Sequence, residues 1–402
     1  MRSFGADTRM PTVAAVLDLI RERRTVSRVE LAEATGMTQA TMTHAVRKLM
    51  AMGFVHEVGK ARSSNGMPRR LVELVPEASY QVGIQFDRYT AVGVVIDLAG
   101  ATVVRRDLPG AGDRHPEEVL LEYAGAVDTM LDAASIPREK VLGIGLATHG
   151  PQDRGKGVLL TPQPSPDWRE FPLAARLQEA TGLPVALEND ATAAGIGVQA
   201  KADAASNFAV VFMSGGIGAG VIIDGHPYRG ATSNGVELGH ISVEARGPRC
   251  ACGNRGCLDM ISGPAGVTGQ AMRNRSLISR LGLGKDTLTD FLAIGRAAAS
   301  GDAEAEVLID TSKQHLAIAT ITLVNLFDVG RVVLAGAAFA EFGDVYLDAL
   351  QEDLDESVFM RHVHSVQVRL AENPADAPAV GAAMVVLRDL LESPGEFPTP
   401  AT

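Results

Sequence analysis

All three cysteines of the chain fall within eight residues, as Cys250, Cys252 and Cys257 in Arg249-Cys-Ala-Cys-Gly-Asn-Arg-Gly-Cys-Leu-Asp259, and His240 precedes them in Glu237-Leu-Gly-His240. The spacing is His-x9-Cys-x-Cys-x4-Cys. Three thiolates and an imidazole are the donor set that a tetrahedral structural zinc prefers, and four protein ligands leave no position for a catalytic water. Gly253 and Gly256 give the short loop the freedom to turn its thiolates inward. The plain alternative is three reduced, buried cysteines beside an unrelated histidine. A disulfide fits less well, because the count is odd and a Cys-x-Cys pair bridges poorly. The sequence therefore predicts a structural Zn(2+) held by His240, Cys250, Cys252 and Cys257.

The chain has 402 residues, enough for two or three domains. No secretory segment follows Met1, and the longest apolar stretch, residues 316–327, is broken by Thr320, Thr322 and Asn325. That stretch reads as a buried helix, and the expected setting is the cytoplasm, with reduced thiols and no membrane contact. The net charge of −11 is unevenly placed. Residues 1–70 hold twelve Lys and Arg against six Asp and Glu, a balance of +6, so the remainder carries −17. Only the basic head is suited to a polyanion.

Residues 10–70 read as three helices and a hairpin. Residues 10–24 place Val13, Val16, Leu17 and Ile20 at helical spacing. Ser27-Arg-Val-Glu30 is a capping box for a second helix, with Val29, Leu31 and Ala34 facing inward, and Gly36 makes a turn. Thr38 caps a third helix through Met52, with Met42, Val46, Leu49 and Met50 on its apolar face. Its other face offers Gln39, Thr41, Thr43, His44, Arg47 and Lys48, side chains suited to base edges and phosphates. Two short alternating strands then flank a basic wing, residues 59–69, from which Arg62 and Arg69 can reach DNA. This is a winged helix-turn-helix, with a three-helix protein-interaction module as the competing reading.

From Tyr80 the pattern changes to buried strands alternating with helices. Strands are expected at 82–86, 91–97, 141–147, 185–187, 208–213, 221–224 and 331–335, with helices at 116–134 and 173–181. Two successive halves of this kind imply a duplicated α/β fold with a cleft between lobes. The expected division is 1–75 for the head, 76–392 for the body with lobes at about 80–195 and 196–392, and a disordered tail at 393–402. His362 and His364 are expected to alternate on a strand, and the single tryptophan, Trp168, to pack or order a loop.

The cysteine block with its upstream Glu-x-Gly-His, together with Trp168, Glu188-Asn-Asp190, Gly216-Ile-Gly218 and Gly381-Ala-Ala383, resembles the ROK family (repressor, open reading frame, kinase) over nearly the whole chain. The resemblance implies an actin-like, ribonuclease-H-like two-lobe fold behind the winged helix, a sugar pocket in the cleft, structural zinc and a homodimer or homotetramer. It also implies that Asn189, Asp190, Glu237, His240 and Asp259 contact the sugar, and that Asp190 marks the position of the kinase base. Asp259 stands where the family usually has glutamate. Ser233 stands where glycine is common, and Gly235-Val236 takes the place of Ala-Gly.

ROK proteins divide into sugar kinases and regulators. The kinases resemble one another in an early phosphate loop, Asp-x-Gly-Gly-Thr, where this chain has Gln85-Phe-Asp-Arg-Tyr89. The second loop, commonly Gly-Thr-Gly, is Ser214-Gly215-Gly216. The glycines that let backbone N–H groups approach phosphate are thus replaced by Asp87 and Arg88, and the second loop loses its threonine. The expected function is a non-enzymatic regulator, a repressor of carbohydrate genes that binds double-stranded operator DNA and responds to a sugar or sugar phosphate. The alternatives are an ATP-dependent sugar kinase and a DNA-binding scaffold with a vestigial pocket.

Overall fold

The computed structural model describes residues 12–61, 69–200 and 206–392. The head begins with α1 (Thr12–Arg23), which buries Val13, Val16, Leu17 and Ile20, followed by β1 (Thr25–Ser27). Ser27 accepts a bond from the Glu30 N–H, and the Glu30 carboxylate accepts from the Ser27 N–H at 2.7 Å. This reciprocal cap opens α2 (Arg28–Thr35), which stops at Gly36 with φ +67°. Thr38 caps α3 (Gln39–Ala51), and β2 (Val55–Ala61) with β3 (Arg69–Leu74) completes a sheet of order β1-β3-β2.

Three positions expected to face inward do not. Val29 is half-buried, and Ala34 and Met50 are exposed. Ala32 and Ala45 are buried in the head cluster instead. The Met50 sulfur lies 3.8 Å from the Arg28 guanidinium on the surface. β1 has only three residues, too few to show a period, and no strand is expected there from the sequence.

The body opens with a meander of β4 (Tyr80–Phe86), β5 (Thr90–Asp97) and β6 (Thr102–Pro109). After α4 (Pro116–Ala133), β7 (Val141–Thr148) returns parallel to β4. A ribbon of β8 (Gln152–Asp153) and β9 (Val158–Leu159) precedes α5 (Leu173–Thr181), β10 (Val185–Asn189) and α6 (Asp190–Gln199). The second half repeats the plan with β11 (Phe208–Met213), β12 (Ile217–Ile223) and β13 (His226–Pro227). A helical insertion follows: α7 (Leu258–Ile261), α8 (Pro264–Ala271), α9 (Arg275–Leu281), α10 (Thr287–Ala299) and α11 (Ala303–Phe327). Then come β14 (Arg331–Ala335), α12 (Gly343–Ser357), β15 (Gln367–Leu370) and α13 (Ala377–Glu392).

The sheet orders are β10-β7-β4-β5-β6 and β13-β12-β11-β14-β15. Read from the first strand of each half, these are the same order, so the duplication expected from the strand pattern is present in the topology. The central strands are buried throughout, β11 at all six positions, because helices cover the sheets. The last helix of each half is exchanged: α6 packs on β11 and β12 of the second sheet, α13 on β4, β5 and β7 of the first, and the two helices pack on each other. Their crossing needs glycine at two places. A Cβ on Gly197 would lie 2.0 Å from the Ala377 carbonyl oxygen, and one on Gly381 would lie 1.7 Å from that of Ala193.

The C-terminal turns of α13 carry the head. Leu387 and Leu391, with Leu98 from the body, belong to the same apolar cluster as Leu17, Leu31, Val46 and Val72. His362 and His364 lie on no strand. The segment Phe359–His362 is a 3-10 turn, His364 bonds Asp328 at 3.0 Å, and β15 starts only at Gln367. Trp168 is fully buried against Phe86, with its indole N–H donated to the Arg114 carbonyl.

Candidate functional site: the cleft and the reading helix

The first hairpin turn of each half points at the other. In the first lobe this is the β4–β5 turn at Asp87–Tyr89, and in the second the β11–β12 turn at Ser214–Gly216. Together with the N-terminus of α6 and the segment 235–240 they line a cavity of about 500 Å³. The two turns are bonded. Asp87 Oδ1 accepts the N–H groups of Tyr89 and Thr90 at 2.7 and 2.8 Å, while Oδ2 accepts Ser214 Oγ–H at 2.6 Å and Gly215 N–H at 3.2 Å. Two residues on, the Ile217 N–H donates to Asp259 Oδ1 at 2.9 Å. Asp87 thus does more than crowd a phosphate loop, as the sequence suggested. It ties both loops together.

The other half of the cleft holds the expected sugar contacts. Asn189 caps α6 by accepting the Thr192 N–H at 3.0 Å, and Asp190 Oδ1 accepts the Ala191 N–H at 2.8 Å at the same helix end. A Cβ placed on Gly150 would lie 3.3 Å from Glu237 Oε1 and 3.4 Å from Asn189 Nδ2, so these side chains converge on one spot. Burial, then the neighbouring Asp87 and Glu237 charges, push the Asp190 carboxyl up to about 7. Burial raises Glu237 in the same sense and lowers His149, keeping that ring neutral. His149 and Tyr89 line the cavity, and Asn234 exchanges two hydrogen bonds with the Gln152 backbone across the lobes. None of these last was picked out as a firm contact from sequence, since each depends on a partner remote in the chain.

The approach to the site carries strain. Ser233 and Val236 have φ of +62° and +65°. A β-branched residue rarely adopts this conformation, at a cost of about 1–3 kcal/mol. These are the positions where the resemblance leads one to expect glycine, and the backbone geometry gives the reason.

His240 joins the cavity to the cysteine block. Its Nδ1 lies 3.7 Å from Cys250 Sγ, and Cys252 Sγ lies 3.7 Å from Cys257 Sγ. All four donor atoms fall within 4.8 Å of one another, an arrangement that can hold a metal ion. A tetrahedron with metal–sulfur bonds of about 2.3 Å has edges of about 3.8 Å, close to the two 3.7 Å separations.

In the head, Gln39, His44, Arg47 and Lys48 are exposed on α3, as a reading helix requires. Thr41 and Thr43 are half-buried, and their hydroxyls bond to Thr38 Oγ1 and to the Gln39 carbonyl. Arg69 opens β3, and Arg62 lies outside the described residues. Glu57 on β2 accepts from both Arg28 and Arg70, bracing the wing's base against α2.

Comparison with known proteins agrees with this geometry. The chain is 28% identical to the xylose repressor of Bacillus subtilis (strain 168) over 383 residues, covering 94% of this chain and 95% of that one. A crystal structure of a ROK family transcriptional regulator, a homologue of the Escherichia coli MLC protein, superposes with a TM-score of 0.72 at 20% identity, covering 95% and 97% of the two chains. The ROK hexokinase of Thermus thermophilus matches with a TM-score of 0.61 and 28% identity, covering 99% of its own length but 77% of this chain. Residues 12–56 match the winged helix-turn-helix DNA-binding family. Residues 81–389, most of the chain, match the ROK family, and the protein belongs to it.

Proposed function

We propose that this protein is a DNA-binding transcriptional regulator of sugar genes, a repressor that reads double-stranded operator DNA with α3 and is controlled by a sugar in the cleft. The observation that carries this reading is the seating of the head. Leu98, Leu387 and Leu391 of the body complete the head's own core, and α13 crosses α6 at Ala193 and Gly197, about one to two turns along the helix that Asn189 caps. A ligand that favours one lobe arrangement can therefore bias the head by shifting a population. The DNA contacts we assign are Gln39, Thr41, Thr43, His44, Arg47, Lys48, Arg62 and Arg69. The effector contacts we assign are Asn189, Asp190, Glu237 and His240, with Asp259 shaping the wall through its bond to Ile217.

We infer that the metal is zinc, chosen by three thiolates and one imidazole, and that it fixes the His240 ring at the cavity edge. Reduced thiols fit a cytoplasmic setting, and among the described residues no helix is long and apolar enough to cross a membrane. Exposed Leu326, Phe359 and Val363, at 74%, 78% and 73%, gather where α11 ends and favour a homo-oligomer, dimer or tetramer. The Asp87–Ser214 bond speaks against phosphoryl transfer, because the groups that would cradle a nucleotide are engaged with each other. A coupled ADP-release assay over common hexoses tests that point, and turnover lost in Asp190→Asn would restore the kinase.

The main test is fluorescence anisotropy of the full chain on the DNA upstream of its own gene, with and without a panel of sugars. Arg47→Ala should weaken binding by about tenfold or more while leaving sugar binding intact. Equal DNA affinity in that variant would remove α3 as the reader.

A further inference from the structure

We infer that the cleft accepts an uncharged polyhydroxylated ligand and refuses its phosphorylated form, because the Asp87 carboxylate occupies the place and the donors that a phosphoryl group would need. This rests on the sugar-sensing reading above and narrows it to free sugars. Three observations carry it. First, three donors of the turn are engaged. Ser214 Oγ–H and Gly215 N–H go to Asp87, and Ile217 N–H goes to Asp259. Second, the turn is covered: a Cβ on Gly215 would lie 3.2 Å from the Tyr89 ring, whose hydroxyl reaches across to Thr287 Oγ1 at 3.0 Å. Third, the charge is of the wrong sign. Asp87, Asp190, Glu237 and Asp259 all line the cavity. Of the lining basic residues, Arg88 is paired with Asp113 and the Pro164 carbonyl, burial keeps His149 neutral, and His240 belongs to the metal cluster.

A free sugar suits such a wall, since each hydroxyl can donate to a carboxylate. A phosphate ester at the hydroxyl beside Asp190 would place its charge against Asp87, where like charges a few ångströms apart are strongly disfavoured. The carboxylate, with its two oxygens bonded to both turns, acts as a resident stand-in for the phosphoryl group. It makes one half of the cleft self-complementary and leaves the other half for the sugar ring.

The test is isothermal titration of the full chain with free pentoses, hexoses and N-acetylhexosamines, each paired with its terminal phosphate ester, together with inorganic phosphate and a non-hydrolysable ATP analogue. The free sugar that binds should do so at least about tenfold tighter than its ester. Inorganic phosphate should bind Asp87→Gly but not the wild type. An ester binding as tightly as its parent sugar, or the ATP analogue binding the wild type, overturns the inference. Should no sugar of either kind bind, the sugar-sensing reading fails, and the phosphate arm still decides whether Asp87 fills the subsite. Should Asp87→Gly not fold, the sugar-to-ester ratio in the wild type decides alone.

Discussion

Two seams divide the molecule, and they are built from opposite materials. The seam between head and body is apolar at its centre: Leu98, Leu387 and Leu391 pack directly into the head cluster, each less than a tenth exposed, while Arg21 donates to the Leu98 carbonyl at 2.7 Å beside a cavity of about 490 Å³. The seam between the lobes is polar. It is crossed by Asp87–Ser214, Arg229–Glu188, Tyr89–Thr287 and the paired bonds of Asn234 to Gln152. An apolar seam is close-packed and moves as a unit, because opening it exposes hydrocarbon to water. A polar seam exchanges its bonds for bonds to water or ligand at small net cost. The cleft is therefore suited to a change of state, and the proposed regulation requires that the leucine contacts of the head seam pass that change on.

The largest expected effect comes from giving the apolar seam the chemistry of the polar one. Leu387→Asp places an unpaired carboxylate where Leu387 is 1% exposed. It should cost about 3–5 kcal/mol in stability and abolish operator binding, seen by calorimetry and anisotropy. Wild-type DNA affinity that still responds to sugar would mean that this seam transmits nothing. The full chain is the right object for the experiment, since the head's core is completed by the body.

The second effect lies at the joint between cluster and cleft. His240→Ala removes one of four donors, so zinc affinity should fall by more than about 100-fold, read by competition with a chelating dye. The sugar response should be lost with it. Unchanged metal content would separate the histidine from the cysteines and leave the cleft without its fixed ring.

What the sequence could reveal follows the same division. Features closed within a few residues were legible: the Ser27–Glu30 box, the Thr38 cap, the apolar run of 208–213 and the spacing of His240 with the three cysteines. The fold class was legible because the period repeats in both halves. Both seams were not. Asp87 reads locally as an obstacle, and only its partner 127 positions away makes it a clasp. Leu387 and Leu391 look like any apolar pair on an amphipathic helix. β6 is an exposed edge strand with Arg105, Arg106 and Asp107 in it, so it lacks the apolar run that identifies its neighbours. The positive φ of Val236 appears only once the backbone is known, although the glycine common at that position in relatives was the hint.

The third effect is a pH dependence centred on Asp190 in the polar seam. The Asp190 carboxyl is raised from 3.8 to about 7, chiefly by burial. Between those values the folded chain keeps a proton that the unfolded chain has released. Stability therefore falls as pH rises from about 4 to 7 and levels off above 7, by a few kcal/mol at about 1.4 per pH unit. Asp190→Asn should flatten this slope and be the more stable protein at pH 8, measured by denaturant titration. An unchanged slope would place the titrating group elsewhere in the cleft.

The smallest expected effect tests whether the seams communicate through one polar strut. Glu188, 1% exposed at the end of β10, is clamped between Arg229 of the second lobe and Arg154 of the first. Arg154 also holds Asp389 at 2.7 Å, on α13 between Leu387 and Leu391. One guanidinium thus touches the strand that presents Asn189 and the helix end that seats the head. Arg154→Ala leaves Glu188 with Arg229 and should cost about 1–3 kcal/mol of stability. Sugar affinity should change little, because Arg154 does not line the cavity. The factor by which sugar alters DNA affinity should shrink. Coupling between two sites is reciprocal, so the factor by which operator DNA alters sugar affinity must shrink equally. If both factors survive in Arg154→Ala, the apolar packing of α6 on α13 carries the whole signal, and the polar strut serves only to neutralise Glu188.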